Sequence, residues 1–265
     1  VRMDSVRTLL ALAAESSWHI ASMDFTAAYL NSPLKEELCC SPPPGVVLPP
    51  NKVWRLWRSI YGLKQAGRDW HTTLSCFFSS LGFTENSADP CVFSFKKGDT
   101  VIHVAAYVDD LLLFSSSLAA LDKVKESIKL RFKVTISPSL FFLGMLISVN
   151  KDDGSISVTQ EAYISSLLKS FNLRGRDYVC PTPGNPNVKL INFLQPPNES
   201  DIAFMKDKPF RKLVGSLLYA SCICRPDIAT TVNFLARNLD SPRSAHWFAA
   251  LRVLRYLAGT KTLGL

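Results

Sequence analysis

"VAAYVDDLLLFS", residues 104–115, sets Asp109 and Asp110 side by side inside an apolar run. Ionised carboxylates in such surroundings are costly unless a positive charge meets them. Side chains alternate across a strand, so the two cannot serve one site equally unless the chain turns there. A tight hairpin provides that turn and presents at least Asp109 at its tip. "VIHVAAY" (101–107) and "LLLFSS" (111–116) then become the two arms of a strand pair. Asp24 closes another short apolar strand, "WHIASMDF" (18–25), and stands as the third carboxylate. Clustered carboxylates suit hard, oxygen-ligated Mg²⁺, and a pair of such ions can clamp an in-line phosphoryl displacement. A plain polar turn is the alternative, and these residues alone leave both readings open.

Working outward, "DSVRTLLALAAES" has a cap and apolar residues at helical spacing, which predicts a helix over 5–16. "SPPPGVVLPP" (41–50) is a proline-broken loop, and "VWRLWRS" (53–59) alternates bulky and basic residues like a strand with one solvated face. Residues 64–81 predict a helix with Trp70, Leu74, Phe77, Phe78 and Leu81 on its apolar side, closed by Gly82. "CVFSF" (91–95) is a further strand, followed by the turn "KKGD". Beyond the double aspartate lies an amphipathic helix starting at a Ser cap (117–132). A hairpin with "FFLGMLISV" (141–149) as one arm and "ISVT" (156–159) as the other comes next, then a helix at 160–171. Residues 173–209 carry Pro181, Pro183, Pro186, Pro196, Pro197 and Pro209 and read as a tether. Three helical patterns follow, at 210–224, 226–239 and 243–258. The class is α+β first and all-α last.

The 265 residues can bury a substantial core, and 47% hydrophobic with 20% charged content is globular, not disordered. No apolar stretch approaches the roughly 18 residues of a membrane span. Seven cysteines without a CxxC pair fit reduced thiols and an intracellular setting better than a disulfide framework, and four scattered histidines offer no zinc spacing. A net charge of +8 favours a polyanionic partner, nucleic acid before membrane.

The "YVDD" of Tyr107–Asp110 within its hydrophobic hairpin, preceded by "MDFTAAYLN" (23–31), resembles two core motifs of reverse transcriptases. "IYGLKQAGRDW" (60–70) is similar to a signature of copia-type retrotransposon polymerases. So are "SLGFTENSADPCVF" (80–93), "FFLGMLISVNKDDGSISVTQEAYISSLL" (141–168), "FRKLVGSLLYASCICRPDIATTVNFLARN" (210–238) and "SAHWFAALRVLRYLAGT" (244–260). The resemblance runs end to end in order. It implies a palm of antiparallel strands backed by helices over 1–150, with incomplete fingers. A hairpin end, helix and connection would occupy 151–209, and a helical thumb 210–265.

The same resemblance implies roles. Asp24 and Asp109 would hold two Mg²⁺ ions, with Mn²⁺ a substitute, and Asp110 would support them. Tyr29 would be the aromatic gate beneath the sugar. Tyr61, Lys64, Gln65, Arg68 and Tyr107 would line the nucleotide, with Lys64 and Arg68 offering phosphate contacts. Leu143 and Gly144 match a primer-grip hairpin. Arg211, Gly215 and Tyr219 fall at i, i+4 and i+8 on one face of a helix that would lie in the minor groove of the template–primer duplex. Lys212, Arg225, Arg237, Arg243, Arg252 and Arg255 are expected to make this segment basic.

Departures from the family pattern also stand in the sequence. Gly67, Asp69 and His71 replace the usual proline, alanine and tyrosine. The lysine expected to protonate the departing pyrophosphate is missing, with Lys133 a displaced candidate. The basic segment that grips triphosphate would precede residue 1 and a ribonuclease H domain would follow Leu265, so the expectation is a fragment of a polyprotein. The partners implied are an RNA template, a primer duplex and deoxynucleotides, with no membrane. The location implied is the cytoplasm, in a virus-like particle, with a nuclear phase. A catalytically inactive nucleic-acid-binding remnant and a metal-dependent phosphohydrolase are the rival readings.

Overall fold

The computed structural model describes residues 1–136, 139–150, 152–173, 179–185 and 196–265. The chain divides into two units, one of residues 1–143 and 150–156, the other of 144–149 and 157–265.

In the first unit the elements run α1 (Met3–Glu15), β1 (His19–Phe25), β2 (Pro33–Cys40), β3 (Trp54–Arg58) and α2 (Ala66–Ser80). They continue as β4 (Thr84–Glu85), β5 (Val92–Lys97), β6 (Thr100–Tyr107), β7 (Asp110–Ser115), α3 (Leu118–Arg131), β8 (Val134–Ile136) and β9 (Leu140–Phe142). Six strands form one sheet in the order β4-β5-β6-β7-β1-β8, and every neighbouring pair is antiparallel. The double-aspartate hairpin is thus central, and its arms are buried on both faces: Leu111, Leu112, Leu113 and Phe114 are all fully buried.

Alternation sorts those side chains. Met23, Phe25, Val104, Leu111 and Leu113 share a core with Trp70, Leu74 and Phe78 of α2 and Leu121, Val124 and Ile128 of α3. Helix α1 buries Val6, Leu9, Leu10 and Ala13, a single i, i+3, i+4, i+7 stripe, and packs on β7. Helix α3 begins where Ser117 accepts a hydrogen bond from the Ala120 amide, and Lys129 and Arg131 complement its C-terminal dipole. Strands β2 and β3 stand apart as a two-stranded ribbon rooted between β1 and α2. Strand β2 is mostly polar and exposed, and β4 and β8 are only two and three residues long, so none of the three leaves an apolar pattern that the sequence could announce.

The second unit holds β10 (Met145–Val149) and all but the first residue of β11 (Ile156–Thr159), then α4 (Glu161–Ser170), α5 (Glu199–Met205), α6 (Phe210–Ile223), α7 (Ala229–Ala236) and α8 (Ser244–Gly259). Its core joins Ile164, Leu167 and Leu168 of α4 to Leu213, Val214 and Leu217 of α6, Val232 and Leu235 of α7, and Ala250, Val253 and Leu254 of α8. Two expectations change. The stretch read as one strand, 141–149, is broken by a two-residue turn at Leu143–Gly144. The tether contains α5, whose Asn198 side chain accepts from the Asp201 amide as an N-cap; residues 174–178 and 186–195 of it lie outside the described residues.

Arg225, expected on a basic surface, is buried. Its guanidinium donates to both oxygens of Asp227, at 3.0 and 2.7 Å, and to the carbonyl and hydroxyl of Thr260, at 2.8 and 2.7 Å. A planar five-donor fork fits such a pocket, and the carboxylate neutralises it.

Candidate active site

The register of β1 on β7 places Asp24 directly opposite Asp110. Opposed residues of an antiparallel pair point to the same face, so these two carboxylates are neighbours across the strands. Tyr107 pairs with Asp110 to close the β6–β7 hairpin, leaving Val108 and Asp109 as its turn. Val108 adopts φ +52°, the left-handed region that a β-branched residue rarely enters. Backbone and side chain both hold this turn. The Phe25 amide donates to the Asp109 carbonyl at 2.7 Å, and the Trp70 indole N–H donates to the Val108 carbonyl at 2.7 Å. The Ala28 amide reaches Asp109 Oδ1 at 3.3 Å.

Charge is out of balance here. Desolvation, then the charge of Asp109, raises the pKa of Asp24 above the usual carboxylate range. Burial, then the charge of Asp24, does the same to Asp110, opposed by the Leu143 amide, which donates to its carboxylate. Among the described residues no lysine or arginine forms an ion pair with any of the three aspartates. Like charges directly opposed in a sheet are destabilising, so the cluster lacks a cation. Hard carboxylate oxygens without a cationic side chain fit a divalent ion such as Mg²⁺. Among the described residues, no three His, Cys, Asp or Glu side chains are gathered closely enough to hold a metal as they stand.

Aromatic residues border the aspartates. Tyr61, just after β3, donates its hydroxyl to both carboxylate oxygens of Asp109 at 2.6 Å. Tyr29 packs against Tyr61 with ring centroids 4.5 Å apart and planes inclined at 56°, and a side chain at Gly67 would begin 4.0 Å from the Tyr29 hydroxyl. Tyr107 is exposed at the end of β6. At the entry to α2, Lys64 is exposed, whereas Gln65 donates to Glu36 at 2.8 Å and Arg68 lies 3.9 Å from the same carboxylate. Gln65 and Arg68 are therefore turned toward β2.

Leu143 and Gly144 have φ +48° and +69°, consecutive left-handed residues as a tight hairpin turn requires. A Cβ on Gly144 would come within 3.0 Å of the Tyr219 hydroxyl, so glycine there allows that close approach. Arg211, Gly215 and Tyr219 all lie on the exposed face of α6, and a Cβ on Gly215 meets nothing within 4 Å. Arg211 pairs with Asp240 at 2.6 Å, both well exposed.

Three features of the site escaped the sequence reading: the Asp24–Asp110 register, the Tyr61–Asp109 bond and the Trp70 bond to Val108. A tryptophan beside the polar end of an apolar helix face was the only signal for the last, since a buried indole N–H needs an acceptor.

The profile of the family described as reverse transcriptase (RNA-dependent DNA polymerase) matches residues 1–185. The chain is 34% identical, over 98% of its length, to the retrovirus-related Pol polyprotein from transposon TNT 1-94 of Nicotiana tabacum. It is 32% identical, over its whole length, to the retrovirus-related Pol polyprotein from transposon RE2 of Arabidopsis thaliana. The chain spans 20% and 18% of those two polyproteins. A transposon Ty5-1 protein of Saccharomyces cerevisiae is 32% identical over 91% of the chain, which covers 77% of that protein. The chain belongs to the reverse transcriptase family, in agreement with its copia-type motifs.

Proposed function

We propose that this chain is the polymerising part of an RNA-directed DNA polymerase from a copia-type retrotransposon, its first unit the palm with part of the fingers and its helical unit the thumb. The observation that carries this is the apposition of Asp24 and Asp110 across β1 and β7 with Asp109 in the adjoining turn, a carboxylate cluster that no cationic side chain among the described residues pairs with.

Asp24, Asp109 and Asp110 would hold two Mg²⁺ ions, or Mn²⁺ in their place. When bound, such ions acidify a primer 3′-hydroxyl and neutralise the triphosphate and departing pyrophosphate. The chain's own residues do the rest. Tyr29 would act as the aromatic gate whose ring a sugar 2′-hydroxyl strikes, and Tyr61 and Tyr107 would border the base and sugar. Lys64, with Gln65 and Arg68 once released from Glu36, meets the phosphates. The Leu143–Gly144 turn holds the primer end, and Arg211, Gly215 and Tyr219 run along the duplex groove. The substrates are an RNA template, a primer duplex and deoxynucleotides. None of the described helices is long and apolar enough to cross a membrane.

One observation favours a second reading, a nucleic-acid-binding remnant without turnover: the carboxylates are not gathered for a metal as they stand. Primer extension on an RNA template with Mg²⁺ separates the two. The proposal expects extension by the parent, in a chain carrying its polyprotein flanks, and loss of nearly all turnover in Asp24→Asn. Duplex binding without extension under every metal condition would leave the remnant.

A further inference from the structure

The double-aspartate turn is bent against its own sequence. Val108 is β-branched, yet it sits at φ +52° in a position where hairpins usually place glycine. Such a conformation persists only where the surroundings over-determine it. Two donors grip the carbonyls on either side of the bend. One is the Phe25 amide on the Asp109 carbonyl, a backbone bond that any sequence would supply. The other is the Trp70 indole N–H on the Val108 carbonyl at 2.7 Å, which only this side chain can make.

Trp70 is itself immobilised. It is 3% exposed, on the inner face of α2. Its ring meets Phe25 edge-on at 4.9 Å and Phe132 edge-on at 5.6 Å. Phe25 follows Asp24 directly, so a single aromatic cluster touches the strand that bears one aspartate and, through the indole N–H, the turn that bears another. Core packing calls for a large apolar ring at this position but not for a donor on it. The polar edge of the ring is what packing does not need.

We infer that Trp70 is a positioning residue for the carboxylate site: its N–H holds Val108 in the left-handed conformation and thereby sets the direction from which Asp109 meets a divalent ion. Trp70, shut inside the core, acts through the turn. This rests on the proposed metal-dependent function for its purpose, although the effect on the turn is independent of it.

The test compares Trp70→Phe, which keeps an aromatic ring and removes the donor, with Phe78→Leu, which removes volume from the same helix without touching the turn. Amide hydrogen exchange over residues 107–111 and at Phe25 is measured in each, together with Mn²⁺ titration of the chain. Trp70→Phe is expected to speed exchange at the turn and to weaken Mn²⁺ binding, each by about tenfold, the scale of one buried hydrogen bond. Phe78→Leu should lower the melting temperature and leave both readouts at parental values. Adding Val108→Gly to Trp70→Phe should recover Mn²⁺ affinity, because glycine occupies positive φ without support. Parental exchange and affinity in Trp70→Phe would overturn the inference, as would equal effects of Phe78→Leu or failure of Val108→Gly to recover binding. A parent that binds no Mn²⁺ would count against the metal-dependent function instead, and the exchange data would still decide whether Trp70 holds the turn.

Discussion

The Tyr61 hydroxyl donates to both carboxylate oxygens of Asp109 at 2.6 Å, occupying the edge of the carboxylate that a metal ion would use. Burial and this bond raise the phenol pKa far above its usual range, so it remains a donor at any physiological pH. If Asp109 holds a metal as proposed, an arriving ion displaces this hydroxyl. Removing the hydroxyl in Tyr61→Phe is therefore expected to tighten Mn²⁺ binding by about tenfold, the scale of a hydrogen bond to a charged group. Isothermal titration at fixed pH checks this, and weaker binding in the variant would make Tyr61 a support of the carboxylate and not its occupant.

The opposed aspartates make a prediction about stability and pH. Asp24 and Asp110 both have folded-state pKa values raised above the ordinary one. A raised carboxylate pKa favours folding below the unfolded pKa, about 3.9, and that contribution is lost as pH rises through the folded value. At neutral pH without metal, the cluster therefore strains the fold. Asp24→Asn should raise the melting temperature at pH 7, with the gain shrinking as pH falls toward 4. Added Mg²⁺ should stabilise the parent more than the variant. Calorimetry across that range reads both, and a variant less stable than its parent at pH 7 would contradict the sign.

Gly215 separates helix stability from groove fit. It lies inside α6, exposed, with open space where a Cβ would stand. Gly215→Ala should stabilise the second unit by about 1 kcal/mol, since glycine is a poor helix former. Gly215→Leu should likewise not destabilise it, yet should weaken primer-duplex binding if a nucleic-acid groove approaches that face. Arg211→Ala should lower affinity uniformly across sequences and flatten its salt dependence by about one counterion. Denaturation beside duplex titration at two salt concentrations distinguishes these effects.

Much of this architecture was legible in sequence because burial leaves periodic marks. The stripe Val6, Leu9, Leu10, Ala13 and the run Leu111–Phe114 announce α1 and β7 by their apolar spacing. Strand β2 is mostly exposed and β4 and β8 are only two and three residues long, so pairing alone defines them. Asp24 and Asp110 could each be singled out as a carboxylate at a strand end. Their being opposite depends on the register of β1 against β7, two strands separated by most of the first unit. Arg225 was misjudged because nothing in its neighbours reveals a bond to Thr260, thirty-five residues on. Asp227, two residues away, was the available signal.

That buried pair carries the last prediction. Arg225 is 1% exposed, and Asp227 meets it with both oxygens while also accepting from the Tyr256 hydroxyl at 2.8 Å. The bonds from Arg225, with that from Tyr256, overcome the burial that would otherwise raise it, so the Asp227 pKa is lowered. A lowered carboxylate pKa contributes stability that is full above the unfolded value, about 3.9, and is lost as pH falls through the folded value. Asp227→Asn leaves the guanidinium buried with no counter-charge and with an NH2 donor facing it where one of its acceptors stood. The cost should be on the order of 3 kcal/mol, the low end for stripping one partner from a buried pair, because Asp227 itself is partly exposed. Tyr256→Phe removes a single bond and should cost about 1 kcal/mol. Urea denaturation at pH 7 should rank the two in that order. Repeated at progressively lower pH, the parent should lose its advantage over Asp227→Asn as its own carboxylate becomes protonated. An advantage that grows in acid would mean that the Arg225 site is held by Thr260 alone.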